Sequence, residues 1–354
     1  MTHGPGPSRP RPLVTSGFIR ETIPQPGGMR QRQALVNLAH DAIRRGSKSF
    51  AAASRLFDRI TRERAWLLYA WCRRCDDLAD DQDHGGALGD HDEAHNRIKA
   101  IRVLTTRAME GQPTADPAFD SFGLVSGESR IPAALVEDVI AGFALDADGW
   151  RPRDQADLMR YCYHVAGAVG VMMALVMGIP PDDEDLLDRA CDLGIAFQLA
   201  NIARDIAEDD AAGRCYLPLD WLAEMGIPPG RHMEPSFRPQ LAELAARLAE
   251  LAQVHEDSAR IGARRLRFRQ RWAVLSAAEI YGAIARKVQR LGPRAWDRRV
   301  STSALAKLGF VTKGLVQAIL PPRHSAAEPE WRRPRIGEAG PGSQGTMDPE
   351  TSSE

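Results

Sequence analysis

Two segments of the chain place oxygen-bearing side chains one helical turn apart. In the first, Trp66-Leu67-Leu68-Tyr69-Ala70-Trp71-Cys72-Arg73-Arg74-Cys75-Asp76-Asp77-Leu78-Ala79-Asp80-Asp81, the upstream half is apolar on every face, the mark of a helix buried all round. Asp76 and Asp80 then fall four apart on one face, with Arg73 one turn before them. In the second, Asn201, Asp205 and Asp209 form an i, i+4, i+8 stripe on an otherwise apolar helix, flanked by Arg204 and Glu208. Carboxylates carried into an apolar core cost several kcal/mol each unless they are paired or bind cations.

Facing one another, two such helices would make a carboxylate-rich cage suited to hard divalent cations. Mg²⁺ takes oxygen ligands, keeps several waters and is usually held by one or two carboxylates together with substrate phosphates. Arg73 and Arg204 would repel a bare metal, but they fit a diphosphate lying between the metals and the guanidinium groups. Asp76 to Asp81 alone, running into Gly85-Gly86, could be a solvated helix end; the second stripe favours the cage.

Long buried helices must position these side chains, and the rest of the sequence supplies them. Ala, Leu, Arg and Glu recur at three- and four-residue spacing while strand-like alternation is scarce, so the fold class is all-α. Helices are predicted over 33–45, 49–56, 62–81, 91–109, 117–128, 132–148, 153–177, 182–208, 218–225, 238–266, 269–291 and 301–320, with Gly- and Pro-marked breaks such as Gly111-Gln112-Pro113 and Pro180-Pro181. Residues 1–32 and 321–354 are rich in Pro, Gly and Ser without a hydrophobic period, and read as a disordered arm and tail around one domain over 33–320.

Lys+Arg 46 against Asp+Glu 47 leave a net charge of -1, which offers no whole-chain positive field for nucleic acid, and none is expected as a partner. The five cysteines show no disulfide framework, so a reducing cytoplasm is the simplest compartment. The N-terminus lacks the apolar run of an export signal. The uncharged stretch from Tyr161 to Pro181 approaches spanning length, but His164, its glycines and Pro180-Pro181 leave only about 15 strongly apolar positions, which favours a buried core helix.

Four patches together resemble the head-to-head prenyl synthases, the squalene and phytoene synthase family, and within it the bacterial carotenoid type. They are Gly46-Ser47-Lys48-Ser49-Phe50, Tyr69 to Asp81, Tyr161-Cys162-Tyr163-His164-Val165-Ala166-Gly167, and Gln198 to Asp209 followed by Gly213-Arg214-Cys215-Tyr216-Leu217-Pro218. The resemblance covers 33–320 and implies an isoprenoid-synthase helical bundle whose central cavity is capped by two opposed aspartate motifs. It implies that Asp76 and Asp80 hold one group of Mg²⁺ or Mn²⁺ ions and Asn201, Asp205 and Asp209 the other. It also implies that Ser47, Lys48 and Ser49 meet a diphosphate near a helix start, where free N–H groups favour an anion. Arg73, Gln198 and Arg204 would bind diphosphates. Tyr69 and Tyr281 would face the reacting carbons, where an aromatic face stabilises an allylic cation. Other members of the wider family carry His at the position of Gly46, so phosphate affinity there must come from its neighbours.

The implied reaction joins two geranylgeranyl diphosphates through a cyclopropyl diphosphate, prephytoene diphosphate, to phytoene, with release of diphosphate and no need of NADPH. The alternative is a C30 synthase making dehydrosqualene or squalene from farnesyl diphosphate. Tail-pocket depth separates the two, and Gly167, Gly170 and Ser54 could deepen it; for the two glycines, close helix packing is an equal reading. A non-catalytic relative would show degraded aspartate motifs, and both are intact here. Cys72 and Cys75 have metal spacing but no second pair nearby, so core packing is expected, and His91 and His95 among Asp90, Asp92 and Glu93 read as a solvated face. Arg264 to Arg271, five arginines in eight residues, could touch membrane phosphates at the inner face of the membrane or form a solvated helix junction.

Overall fold

Helix starts in this chain are set by short polar side chains that take up free backbone N–H groups. Asp58 accepts from Thr61 N (3.0 Å), Asp116 from Ala118 N (2.9 Å), Asp154 from Asp157 N (2.8 Å), Asp183 from Leu186 N (3.3 Å) and Ser303 from Ala306 N (3.2 Å). The computed structural model describes residues 29–80, 94–320 and 328–335. Its helices are α1 Met29–Gly46, α2 Lys48–Ala53, α3 Arg59–Ala79, α4 Ala94–Met109, α5 Pro117–Ser129, α6 Ala133–Ala147, α7 Gln155–Cys162, α8 Ala168–Val176, α9 Glu184–Ala211, α10 Leu219–Glu224, α11 Arg238–Ala263, α12 Phe268–Leu291 and α13 Ala304–Ile319. Among the described residues there is no strand, and the helices match the predicted spans to within a few residues. The 1–28 arm, Gly85-Gly86 and His91 lie outside the described residues.

α9 is the axis. Its 28 residues pack against α8, α11 and α12, so it is buried on several faces and its hydrophobic period is blurred. α7 and α8 form one continuous helix through a wider π turn, Tyr163–Gly167, and this helix presses backbone to backbone on α9. A methyl built on Gly170 would lie 2.3 Å from Ala190 O, and one on Gly167 2.8 Å from Cys191 Sγ. Close packing holds for both glycines, and Gly170 also borders the apolar cavity of the bundle. By length and composition Gln155–Val176 could cross a membrane, yet Leu158, Val171, Met172 and Val176 are core residues of the bundle.

The other side of the molecule is built on α3. Trp71 is fully buried, stacks on Phe122 with ring centres 4.0 Å apart and donates Nε1–H to Thr105 Oγ1 (3.1 Å), which joins α3 to α4 and α5. Arg32 bridges Glu63 and Glu128, adding α1 to the same layer.

The tail expectation needs one correction. Residues 328–335 are not free of the domain: Glu330 N and Trp331 N donate to Asp192 (3.1 and 3.0 Å), and Arg335 Nη2 to Asp188 (3.1 Å). Arg333 is buried against Glu184 and Asp188. The reason is a row of acids, Glu184, Asp188 and Asp192, along the outer face of α9, two of them buried, which requires donors that the tail supplies. Composition alone cannot reveal a partner that lies 140 residues away.

Candidate active site

Between α2, α3, α8, α9, α11 and α12 lies a cavity of about 420 Å³. Its wall is mainly apolar, from Leu68 on α3, Val169 and Met173 on α8, Leu193 and Phe197 on α9 and Ile280 on α12. Ser47, Tyr69, Gln198, Asn201 and Tyr281 also face it. Tyr281 stacks on Phe197, ring centres 4.0 Å apart. Burial raises both the Tyr69 and the Tyr281 phenol above their ordinary value, so both stay protonated at neutral pH.

Beyond Tyr69 on α3 and Asn201 on α9, the two acidic stripes come together at the rim. Arg73 spans Asp76 (3.1 Å) and Asp77 (2.5 Å). Asp205 is clasped by Arg204 Nε (2.7 Å) and by Arg299 Nε and Nη2 (3.1 and 3.2 Å). Arg214 Nη2 reaches Asp80 at 2.5 Å and so ties the loop after α9 to the end of α3. Behind them Asp146, at the end of α6, accepts from the hydroxyls of Tyr216 (2.8 Å) and Tyr161 (3.0 Å), whose rings stack.

The charges are unevenly compensated. Burial, then the field of Asp80, pushes the Asp76 carboxyl up to about 6, although its side chain is half exposed at the rim, because the walls around it displace water. Asp209 is pushed up to about 7 by burial and by Asp205, with Arg214 opposing. Asp146 is pushed up to about 6 by burial, the tyrosine hydroxyls opposing. At Asp205 burial also raises the pKa, but Arg204 and Arg299 outweigh it and hold the carboxyl below its usual range.

A match to the squalene/phytoene synthase family model runs over residues 43–306, and so takes in both acidic stripes and the cavity wall. The chain belongs to the squalene/phytoene synthase family. It is 43% identical over 308 residues to the phytoene synthase of Pseudescherichia vulneris, covering 85% of this chain and 98% of that one. It is 44% identical over 294 residues to the 15-cis-phytoene synthase of Enterobacter agglomerans, covering 82% and 99%. Among solved structures, a dehydrosqualene synthase in complex with a ligand superposes with a TM-score of 0.73 at 26% identity, over 82% of this chain and 99% of that one.

For this member of the squalene/phytoene synthase family the structure gathers Asp76, Asp80, Asp205, Asp209, Arg73 and Arg204 at one rim, with Ser47, Tyr69, Gln198, Asn201 and Tyr281 facing the cavity below. Ser47 Oγ accepts from Phe50 N (3.2 Å) and so caps α2; the side chains of Lys48 and Ser49 lie outside the described residues. The family's histidine has no room at Gly46 without moving Tyr69, because a Cβ there would stand 2.3 Å from the Tyr69 hydroxyl. Ser54 is buried with its hydroxyl bonded to Trp66 Nε1 (2.9 Å), while Ala53 and Phe57 line the cavity. Cys72 lines the cavity too, its thiol pushed up to about 12 by burial, and Cys75 is core.

Sequence reasoning missed Asp146, Arg214 and Arg299 as site residues. Arg214 and its neighbour Tyr216 lay within a family patch without a role, and Asp146 had a signal in being an acid at the end of an apolar helix. Arg299 had none. Among the described residues no three acids converge into a ready-made metal site; Asp76, Asp77, Asp80 and Asp205 are held by arginines. The donor set nonetheless fits a divalent cation. It is all oxygen, and six aspartates face only four arginines, so that Asp76, Asp146 and Asp209 are left with raised pKa values.

Proposed function

We propose that this chain joins two geranylgeranyl diphosphates head to head, forming phytoene and releasing two diphosphates, with Mg²⁺ or Mn²⁺ as the divalent cation. The observation that carries the reading is the juxtaposition of an apolar cavity with a rim that bears both aspartate motifs and four arginines. That the relatives at 43% and 44% identity are phytoene synthases supports the C20 substrate over the farnesyl alternative. Free cysteines suit a reducing cytoplasm.

Arg73, Arg204, Arg214 and Arg299 take the charge of the departing diphosphate, which lowers the barrier to an allylic cation. Asp76, Asp80, Asn201, Asp205 and Asp209 would hold the cations, which when bound supply further neutralisation of that leaving group. The apolar wall keeps water from the cation, and the faces of Tyr69 and Tyr281 stabilise it. Attack by the double bond of the second substrate on C1, with loss of a proton, gives a cyclopropyl diphosphate. Its ionisation, rearrangement and a second proton loss give a conjugated triene. No carboxylate or histidine lines the cavity among the described residues, so the protons leave on the released diphosphates held at the rim.

The test is to incubate purified protein with Mg²⁺ or Mn²⁺ and, separately, geranylgeranyl and farnesyl diphosphate, then identify the extracted hydrocarbon. A triene-absorbing C40 product from the C20 substrate is expected. Asp76→Asn and Asp205→Asn should each lose turnover by about a hundredfold or more while keeping the helical spectrum. A C30 product alone would transfer the chain to the farnesyl branch, and wild-type rates in both variants would refute the role of the aspartates.

A further inference from the structure

The outer face of α13 is mainly apolar, broken by Gly309 and by Thr312, whose hydroxyl donates to Leu308 O (3.0 Å). Leu305, Leu308, Val316 and Ile319 fall within one arc of roughly 120° on the helix. They are 83, 64, 52 and 59% exposed, and Leu320 beyond them 71%. A soluble monomer seldom leaves such a row uncovered. The inner face is fixed to the bundle: Gly314 abuts Ser276, Trp272 Nε1 donates to Val311 O (2.9 Å), and Ala318 packs with Leu266 and Leu275. Leu266 and its cluster neighbour Val274 also line the cavity, so α13 covers that part of the cavity wall.

The arginine-rich turn adjoins the same helix. Arg271 Nη1 donates to Ala318 O (3.2 Å) and Nη2 to Arg264 O (2.8 Å), which locks the turn between α11 and α12 against the end of α13. Arg265, Arg267 and Arg269 are exposed; Asp183 and Asp185 pair with Arg265 and Arg269 Nε donates to Leu56 O (2.9 Å), so Arg267 is the most available of the three, and the five-arginine cluster stays positive. Phe268, 47% exposed, stands between them.

We infer that the outer face of α13 and the 264–271 turn form one docking surface for a bilayer that bears anionic headgroups. The aliphatic row enters the interface and the arginines lie on phosphates, a combination of apolar area and positive charge that a lipid surface matches. A second copy laid on the same face would offer the arginines no charge partner from α13, which carries no Asp or Glu between Ala304 and Ile319. Resting on the function proposed above, the surface also has a use: a water-insoluble hydrocarbon formed behind α13 is released next to lipid.

Sedimentation with vesicles, without substrate, tests this. Wild-type protein should sediment with phosphatidylcholine vesicles containing about a third phosphatidylglycerol, much less with phosphatidylcholine alone, and less at high salt. Leu308→Asp with Ile319→Asp should weaken partition about tenfold or more, and Arg267→Gln about fivefold, the equivalent of ~1 kcal/mol per surface cation. Turnover of detergent-dispersed substrate should stay within about twofold of wild type in all of them, since none of these residues touches the cavity. Wild-type protein left in the supernatant, variants that bind like wild type, or a wild-type dimer that Leu308→Asp turns into a monomer would each overturn the inference. Failure of the proposed reaction shows differently, as vesicle binding without product.

Discussion

Gly194 is the position where fold and site are most directly coupled. It lies where α9 crosses the π turn, and a methyl built on it would stand 2.2 Å from Ala166 O, 2.6 Å from Ala166 C and 2.9 Å from Gly167 Cα. Ordinary contact begins near 3.4 Å, so Gly194→Ala falls short by about 1.2 Å (3.4 less 2.2), and the obstacle is backbone, which cannot swing aside. Overpacking of this kind costs about 3 kcal/mol, offset by up to ~1 kcal/mol for alanine over glycine in a helix. The net loss of about 2 kcal/mol should lower the Tm by roughly 4 °C for a chain of this size. Asn201 and Asp205 lie two and three turns further along the same helix, and a displacement of order 1 Å there should cost turnover up to ~100-fold. Gly127→Ala on α5 is the control, because no atom lies within 4 Å of its Cβ position. It should gain about 0.5–1 kcal/mol and leave turnover unchanged. Melting followed by far-UV circular dichroism, with turnover on the same samples, decides the matter; a Gly194→Ala protein that melts with or above wild type and retains turnover would refute the packing argument.

Two further predictions follow from the charges. Asp209 and Asp76, pushed up to about 7 and about 6, destabilise the metal-free fold as they lose their protons, so its stability contribution from these groups falls between about pH 4 and pH 7. Cations compete with those protons, so the rise in Tm on adding Mg²⁺ or Mn²⁺ should be larger near about pH 8 than near about pH 5.5; equal rises, or none, would show that these carboxyls do not bind the ion. Separately, truncation after Leu320 removes the N–H groups of Glu330 and Trp331 from Asp192, which is fully buried, and Arg333 and Arg335 from Asp188. His255 and Ser258 still hold Asp192, so the expected cost is about 3 kcal/mol, or roughly 6 °C in Tm. An unchanged melt would mean that the segment is not docked in solution.

Periodicity made the helices and the two acidic stripes legible, because a spacing of four places side chains on one face whatever the tertiary fold. On α9 burial on several faces blurs the contrast that amphipathicity depends on, yet its predicted span lies within a few residues of Glu184–Ala211. The arginines that hold the stripes were only half visible. Arg73 and Arg204 sit in the stripes themselves, but Arg214 and Arg299 reach Asp80 and Asp205 from 134 and 94 residues away, distances over which no local rule operates. Gly167 and Gly170 left two readings open for the same reason: whether a missing side chain makes room for a ligand or for another helix depends on what lies opposite.

The partners seen at the rim explain how so many acids can share it. Asp76 and Asp77 share Arg73, Asp80 has Arg214, and Asp205 has Arg204 and Arg299, whereas Asp146 has only tyrosine hydroxyls and Asp209 no ion pair among the described residues. A diphosphate arriving alone would add negative charge to a rim that already has a surplus of it, in surroundings where Coulomb terms are several times stronger than in water. It must therefore come with cations. On the proposed function, cations held by the aspartates would free the guanidinium groups from their carboxylate pairs for phosphate oxygens, to which their forked donors are equally suited. The same four arginines would thus serve two states: they pair the acidic rim as it stands, and on the proposed function they would grip the leaving group. An arginine removed from the rim should then weaken both, whereas an arginine that served only the fold, such as Arg32 between Glu63 and Glu128, should affect stability alone.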